Sequence, residues 1–353
     1  MNAAAVMSPA LVAVGDLSLE CGRVLPEVHV AVRTWGRLDG VGSNGVLVCH
    51  ALTGSADVDA WWPELLGPGR ALDPHGDFVV CGNVLGSCYG TTGPTSLHPD
   101  GTRSWGPDFP PVTIRDMVRL QARVLDLLGV RRLRLVVGGS LGGMQALEWA
   151  VEFGDRVDGA AVLAAPARQS AWAIALCHAQ REAIRLDPRW QEGRYGADAP
   201  PRNGLAAARA MAMCTYRSWE SLERRFGRQV GPAGFEVEGY LRHQGEKLAA
   251  RFDANAYVTL TRAMDSHDLA RGRGELAQVL AGITTPLLVV GIDSDVLFPA
   301  EELWELVDSA PAARLEWLAS PHGHDAFLME TKEVNRMVLR FRDTLADRVQ
   351  EEA

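Results

Sequence analysis

The chain has 353 residues, a formal net charge of −9, 47% hydrophobic residues and 22% charged ones. That length suits one large α/β domain or two smaller ones with a full core. Its dispersed acidity argues against a nucleic-acid surface, and no apolar run reaches membrane-spanning length, so neither nucleic acid nor membrane is an expected partner.

The first segment, MNAAAVMSPALVAVGDLS, has no basic residues ahead of its apolar ones, so a secretory signal is not expected and the expected location is cytoplasmic. The six cysteines (Cys21, Cys49, Cys81, Cys88, Cys177 and Cys214) form no C-x-x-C pair and several lie in apolar runs. They read as buried free thiols of a reducing compartment.

Along the chain, VHVAV (28–32) alternates like a half-buried strand. GVLVCH (45–50), DFVVCGN (77–83), LRLVVGG (133–139), VDGAAVLAAPA (157–167) and PLLVVGI (286–292) are continuous apolar runs, the pattern of parallel strands covered on both faces. Between them TIRDMVRLQARVLDLLGV (113–130) carries Met117, Leu120, Val124, Leu127 and Leu128 at helical spacing, with Gly129 as its stop. Alternating strand and helix predicts an α/β chain with a mostly parallel sheet and helices on both faces. The alternation lapses after residue 167 and resumes near 284. QSAWAIALCHAQREAIRLDP, GLAAARAMAMCTYRSWESLERRFGR and EVEGYLRHQGEKLAARFDANAYVTLTRAM read as helices in that interval. The expected organisation is a core of 1–167 and 284–353 with a helical cap inserted at 168–283.

Gly138-Gly139-Ser140-Leu141-Gly142 satisfies G-x-S-x-G, with the strand LRLVV leading in and the helical MQALEWA leading out. This is the setting of a nucleophile elbow, in which a strained corner lifts a serine hydroxyl above the sheet. The competing reading is a glycine-rich turn whose serine caps a helix. A serine nucleophile needs a base and an acid to orient it, in the chain order Ser, Asp or Glu, His. Asp293 and Asp295 follow PLLVVGI. His322 and His324 follow the strand-like RLEWLAS (314–320). Asp295, deeper in its loop, is the expected acid, and Asp293 a loop residue. His324, just before the apolar helix start AFLME and 29 residues beyond Asp295, is the expected base, and His322 a loop histidine. His322-x-His324-Asp325 also has the look of metal ligands, but no second cluster accompanies it, so no metal is expected. Oxyanion donors are expected in the backbone N–H of Leu141 and, in the loop after GVLVCH, of Leu52, each worth about 3 kcal/mol of barrier. His50 can be read as no more than the end of its strand.

HALTGSADV, WWPELLGPGRALD, FVVCGNVLGSCYGTTGPTSLHP, FPPVTIRDMVRLQ, GGSLGGMQALEW, RFDANAYVTLTRAMD, SDVLFP and GHDAFL together resemble the homoserine O-acetyltransferase family of α/β-hydrolase-fold acyltransferases, over roughly 20–340. The resemblance implies an α/β-hydrolase fold and a ping-pong reaction. Acetyl-CoA acylates Ser140, CoA leaves, and the hydroxyl of L-homoserine, deprotonated by His324 with Asp295 behind it, takes the acetyl group. It also implies that Arg209 and Tyr216 serve the amino-acid substrate, that Asp325 pairs with its ammonium and that Thr53 touches it. No cofactor beyond acetyl-CoA as substrate is implied, and the family is homodimeric. Arg209 and Tyr216 are seven apart, two helical turns, which puts both on one face. The planar guanidinium fork of Arg209 suits a carboxylate.

Two departures are visible. Leu141 stands where many members carry methionine, which leaves the backbone N–H untouched. Leu297 stands where succinyl-using members tend to carry arginine, so acetyl is the expected donor group. L-serine as the alternative acceptor differs by one methylene, worth only about 1–3 kcal/mol in a pocket, and a plain serine esterase is the more distant alternative.

Overall fold

The computed structural model describes residues 9–351 except residue 233, with side chains described up to residue 346. Residues 1–8, on which the expectation about a targeting signal partly rests, lie outside the described residues. Eight strands form one sheet: β1 (Ala10–Ser18), β2 (Val24–Trp35), β3 (Gly45–Cys49), β4 (Phe78–Gly82), β5 (Leu133–Gly139), β6 (Ala160–Leu163), β7 (Leu287–Ile292) and β8 (Ala313–Leu318). Their spatial order is β1-β2-β4-β3-β5-β6-β7-β8. β1–β2 and β2–β4 pair antiparallel, and every pair from β4 to β8 is parallel. This is the wound α/β sheet that the apolar runs predict.

Because strand side chains alternate, one sheet supplies two cores. Leu47, Cys49, Val136, Val162, Leu287 and Val289 face one side, against Met117 and Leu120 of the helix Ile114–Leu127 and Met144 and Leu147 of the helix Leu141–Glu152. Val46, Val48, Leu135, Val137, Leu163, Leu288 and Val290 face the other, against Val334, Met337 and Phe341 of the helix Thr331–Glu351. The first of these helices starts with a capping box between Thr113 and Asp116 and ends before Gly129, whose φ of +81° only glycine adopts freely.

Between β6 and β7 lie the helices Ala171–Arg185, Arg202–Tyr216, Trp219–Phe226, Glu236–Ala249 and Ala254–Asp265. Much of their apolar surface joins the core of the sheet, through Ala173, Ile184, Leu205, Ala208, Leu248 and Tyr257. Met213, Phe226 and Tyr240 make a small cluster of their own.

Three details differ from the sequence reading. Residues 10–18 form a strand, β1, which the N-terminal segment did not announce because its apolar residues alternate with exposed ones at the sheet edge. The stretch from Gly204 to Arg228 is not one helix. Arg217 is extended (φ −107°, ψ 145°), and Ser218 starts a new helix by accepting the N–H of Ser221 at 2.9 Å. Among the thiols, Cys49, Cys81 and Cys177 are buried as expected, but Cys21 and Cys214 are exposed, one in the turn between β1 and β2 and the other on the helix Arg202–Tyr216. Among the described residues, no helix is long and apolar enough to cross a membrane.

Candidate active site

Ser140 follows the last residue of β5 at a corner with φ +57° and ψ −123°, a conformation that costs a non-glycine residue on the order of 1–3 kcal/mol. Its N–H is tied to Leu163 O at 2.9 Å, and its carbonyl accepts the N–H of Met144 at 3.0 Å, so strand and helix both pin the strained residue. Only glycine fits beside it. A Cβ on Gly142 would stand 2.0 Å from Cys49 O, and one on Gly138 would stand 2.4 Å from the backbone of Gly142. Ser140 occupies the N-cap position of the helix Leu141–Glu152, yet its side chain makes no capping hydrogen bond. The hydroxyl is therefore not spent on the helix, which removes the capping reading of this turn.

Asp295 and His324 meet across the loops after β7 and β8. His324 Nδ1 donates to Asp295 Oδ2 at 2.7 Å. The other oxygen, Oδ1, accepts the N–H groups of Leu297 at 2.8 Å and Phe298 at 3.2 Å, which fixes the carboxylate. The imidazole is boxed by the rings of Phe298, Phe327 and Tyr216, with centroids 5.1, 5.7 and 5.7 Å away. Burial pulls its pKa down, but the charge and hydrogen bond of Asp295, with the nearby charge of Asp325, outweigh it and leave the pKa above the ordinary histidine value. Nε2 is buried and makes no hydrogen bond among the described residues. Ser140 and His324 line the same pocket, so the free nitrogen and the free hydroxyl share one space. The link between them is not closed here; catalytic hydrogen bonds in ligand-free sites commonly tighten only on binding.

The alternative residues of each pair have other partners. Asp293 Oδ1 accepts the N–H of Ser320 at 3.0 Å and joins the two loops. His322 Nδ1 lies 3.3 Å from Ser221 Oγ. With His322 turned to Ser221 and His324 to Asp295, the H-x-H-D run does not converge on one point.

Leu52 follows β3 at the pocket rim, and Leu141 follows the serine. Neither N–H donates to a backbone carbonyl among the described residues. Behind Leu52 lies His50, fully buried. Its Nε2 accepts the N–H of Val84 at 3.0 Å, so the ring proton sits on Nδ1 and is donated to Ala51 O at 2.8 Å. Burial drives its pKa down to about 4, against a smaller opposing pull from the Ala51 carbonyl, so the ring stays neutral and the Leu52 loop stays pinned. His50 does end its strand, directly after β3, and its anchoring role comes on top of that. The signal was there: a histidine closing an apolar strand has to satisfy two ring nitrogens.

The opposite wall comes from the helical insertion. Arg209 and Tyr216 project from one face of the helix Arg202–Tyr216, with the guanidinium 5.0 Å from the phenol ring centroid, and both line the pocket. Arg209 Nε is buried without a partner among the described residues. Burial pushes the Tyr216 hydroxyl up to about 12, with Arg209 opposing, so it is a neutral donor. Asp325, from the His324 loop, and Thr53, from the loop after β3, also line the pocket. Burial raises the pKa of Asp325, while the charges of Arg209, Arg217 and His324 work against it. Thr53 is held through its carbonyl, which accepts from Arg251 at 2.9 Å. Arg217, which the sequence reading passed over, lies 3.5 Å from Asp325.

A family profile described as the alpha/beta hydrolase fold matches residues 44–331. A homoserine O-acetyltransferase of Nostoc punctiforme is 56% identical over 326 residues, covering 91% of this chain and 92% of that protein. Among solved structures, a homoserine O-acetyltransferase from Bacillus anthracis superposes with a TM-score of 0.86 at 27% identity, covering 93% of this chain and 96% of that one. A mutant of esterase E22 superposes with a TM-score of 0.88 at 26% identity, covering 94% and 98%. One scaffold thus carries both acetyl transfer to an amino acid and ester hydrolysis, and sequence identity over nearly the whole length decides between them: the chain belongs to the homoserine O-acetyltransferase family, within the α/β-hydrolase fold.

Proposed function

We propose that this chain transfers acetyl from acetyl-CoA to the hydroxyl of L-homoserine, the step that commits homoserine to methionine biosynthesis. The observation that carries the reading is the pocket with two unlike walls. Ser140 and His324 line it from the sheet's loops with Asp325 next to them, and the guanidinium of Arg209 and the phenol of Tyr216 reach it from the helix Arg202–Tyr216. An esterase has no need of a cation and an anion placed to receive an α-carboxylate and an α-ammonium.

In this mechanism Ser140 Oγ attacks the thioester carbonyl while His324 Nε2 takes its proton. The oxyanion meets the N–H groups of Leu52 and Leu141. The C–S bond breaks, and the CoA sulfur leaves with the proton from His324. L-Homoserine then enters with its carboxylate toward Arg209 and Tyr216 and its ammonium toward Asp325, with Thr53 alongside. Its hydroxyl gives a proton to Nε2 and attacks the acetyl-serine, and the proton returns to Ser140 as the new ester departs. Asp295 holds the imidazole in the tautomer that leaves Nε2 free for each transfer. Leu297, whose side chain is buried, offers no cation for a second carboxylate, which supports acetyl over succinyl.

In the same reading, 1–167 and 284–353 form the catalytic core and 168–283 the cap. The protein works in the cytoplasm as a homodimer joined through the cap. The deciding experiment follows CoA release and product formation for L-homoserine and L-serine, each with acetyl-CoA and succinyl-CoA. O-Acetyl-L-homoserine is the expected dominant product, and Ser140→Ala is expected to form none while remaining folded. CoA release indifferent to any amino acid would instead support an esterase.

A further inference from the structure

The helix Arg202–Tyr216 stops one residue before Arg217, and that break is where the cap touches the loop carrying His324 and Asp325. Gly323 takes φ +69°, and a Cβ on it would lie 2.5 Å from Ser218 N and 2.8 Å from Arg217 C, so the two backbones are in direct contact. Ser218 Oγ donates to Pro321 O while capping the next helix, and Ser221 Oγ meets His322 Nδ1 at 3.3 Å. The position of Arg217 is thus set by both elements and not by a free side-chain rotation at the surface.

From that joint the Arg217 side chain, mostly buried, reaches along Asp325 toward Met329 Sδ. Its Nε lies 3.5 Å from Asp325 Oδ2 yet makes no hydrogen bond among the described residues. This is an unusual use of an arginine beside a carboxylate. The guanidinium fork normally takes a carboxylate with two short, directed bonds. Here it supplies charge and leaves the oxygen lone pairs unclaimed.

We propose that Arg217 is a positioning residue for the acceptor amino acid, keeping Asp325 an open, ionised carboxylate that receives the substrate ammonium. The inference rests on the reading of Asp325 as the ammonium site. A buried carboxylate tends to take up a proton, and a protonated Asp325 loses its charge and turns one of its acceptor sites into a donor. Burial pulls Asp325 that way. The groups facing it are Arg209 and Arg217 from the cap and His324 from its own loop, which favour the anion, and Asp295 from the loop after β7, which disfavours it. Arg209 is committed to the substrate carboxylate, and His324 has to be neutral before it can act as base, so its charge comes and goes through the cycle. Arg217 is the constant cation of the set.

The test compares Arg217→Gln, Arg217→Lys and Asp325→Asn by two readouts. One is the burst of CoA release from acetyl-CoA without acceptor; the other is the KM for L-homoserine across pH. Arg217→Gln is expected to raise the KM about tenfold, more steeply as pH falls, while the burst stays intact; Arg217→Lys, which keeps the charge, is expected to recover most of the loss. An unchanged KM and pH profile in Arg217→Gln, with Asp325→Asn raising KM, overturns the role of Arg217 alone. An unchanged KM in Asp325→Asn overturns the ammonium site itself. A burst lost in step with turnover in Arg217→Gln also overturns the proposal, because the residue would then be holding up the His324 loop and not the acceptor.

Discussion

On the sheet side of the pocket, Ser140, Asp295 and His324 are 6%, 9% and 3% exposed, and backbone geometry fixes each one: a strained corner locked by glycines, two N–H groups on one carboxylate, a ring boxed by aromatics. On the other side, Arg209 and Tyr216 of the helix Arg202–Tyr216, with Asp325 of the His324 loop, are only partly buried and are held by stacking and by charge at 3.5–5 Å. The difference follows from the two tasks. The sheet side handles the same acetyl carbonyl in both half-reactions and benefits from donors that do not reorganise. In the proposed reaction the other groups admit an amino acid and release its ester, a task that suits side chains left without fixed hydrogen-bond partners.

That contrast can be broken first at the relay. Asp295→Asn keeps the shape but permits the wrong imidazole tautomer, and kcat is expected to fall about 10⁴-fold with the unfolding midpoint little changed. A comparable change in turnover from a cap residue would erase the distinction. Next is the backbone itself. Gly142→Ala sets a methyl group 2.0 Å from Cys49 O, which cannot swing aside as a side chain would, and denaturant unfolding should show a loss of about 3 kcal/mol with the elbow disordered.

On the cap side the expected effects are smaller and fall on binding. Arg209→Ala should raise the KM for L-homoserine by about 10- to 100-fold while sparing the acylation burst, the signature of a lost charged contact. A finer test is pH. The base must be neutral, and the pKa of His324 is raised, so the acid limb of kcat/KM for acetyl-CoA is expected above the ordinary histidine value near 6.5. In Asp295→Asn the opposing effect of burial dominates and the limb should move below it. The smallest effect sharpens the comparison from outside. Cys214→Ala, on the exposed side of the helix that bears Arg209, is expected to change stability by no more than about 0.5 kcal/mol and to leave both half-reactions as they are.

Much of this molecule was legible before any coordinates. The continuous apolar runs marked β3 to β7 because strands buried on both faces leave no polar side, and the order Ser140, Asp295, His324 followed the strand ends. β1 was not legible, since an edge strand shares its pattern with an unstructured terminus until a partner pairs with it. The choice of acid was only half legible: Asp293 and Asp295 differ in which N–H groups and which ring they meet, and those come from other parts of the chain. The same holds for His50, whose two ring partners, Ala51 O and Val84 N–H, join a neighbour in sequence to one from another strand end.

Local pattern determined the elements, the corner at Ser140 and the residue types available for chemistry, because strand alternation, helical period and the steric freedom of glycine act over a few residues. Tertiary structure alone decided that Arg217 would stand beside Asp325, 108 positions further along the chain. Electrostatics depends on distance through space, and the two come together where the His324 loop packs, through Gly323, against the break at Arg217 and Ser218.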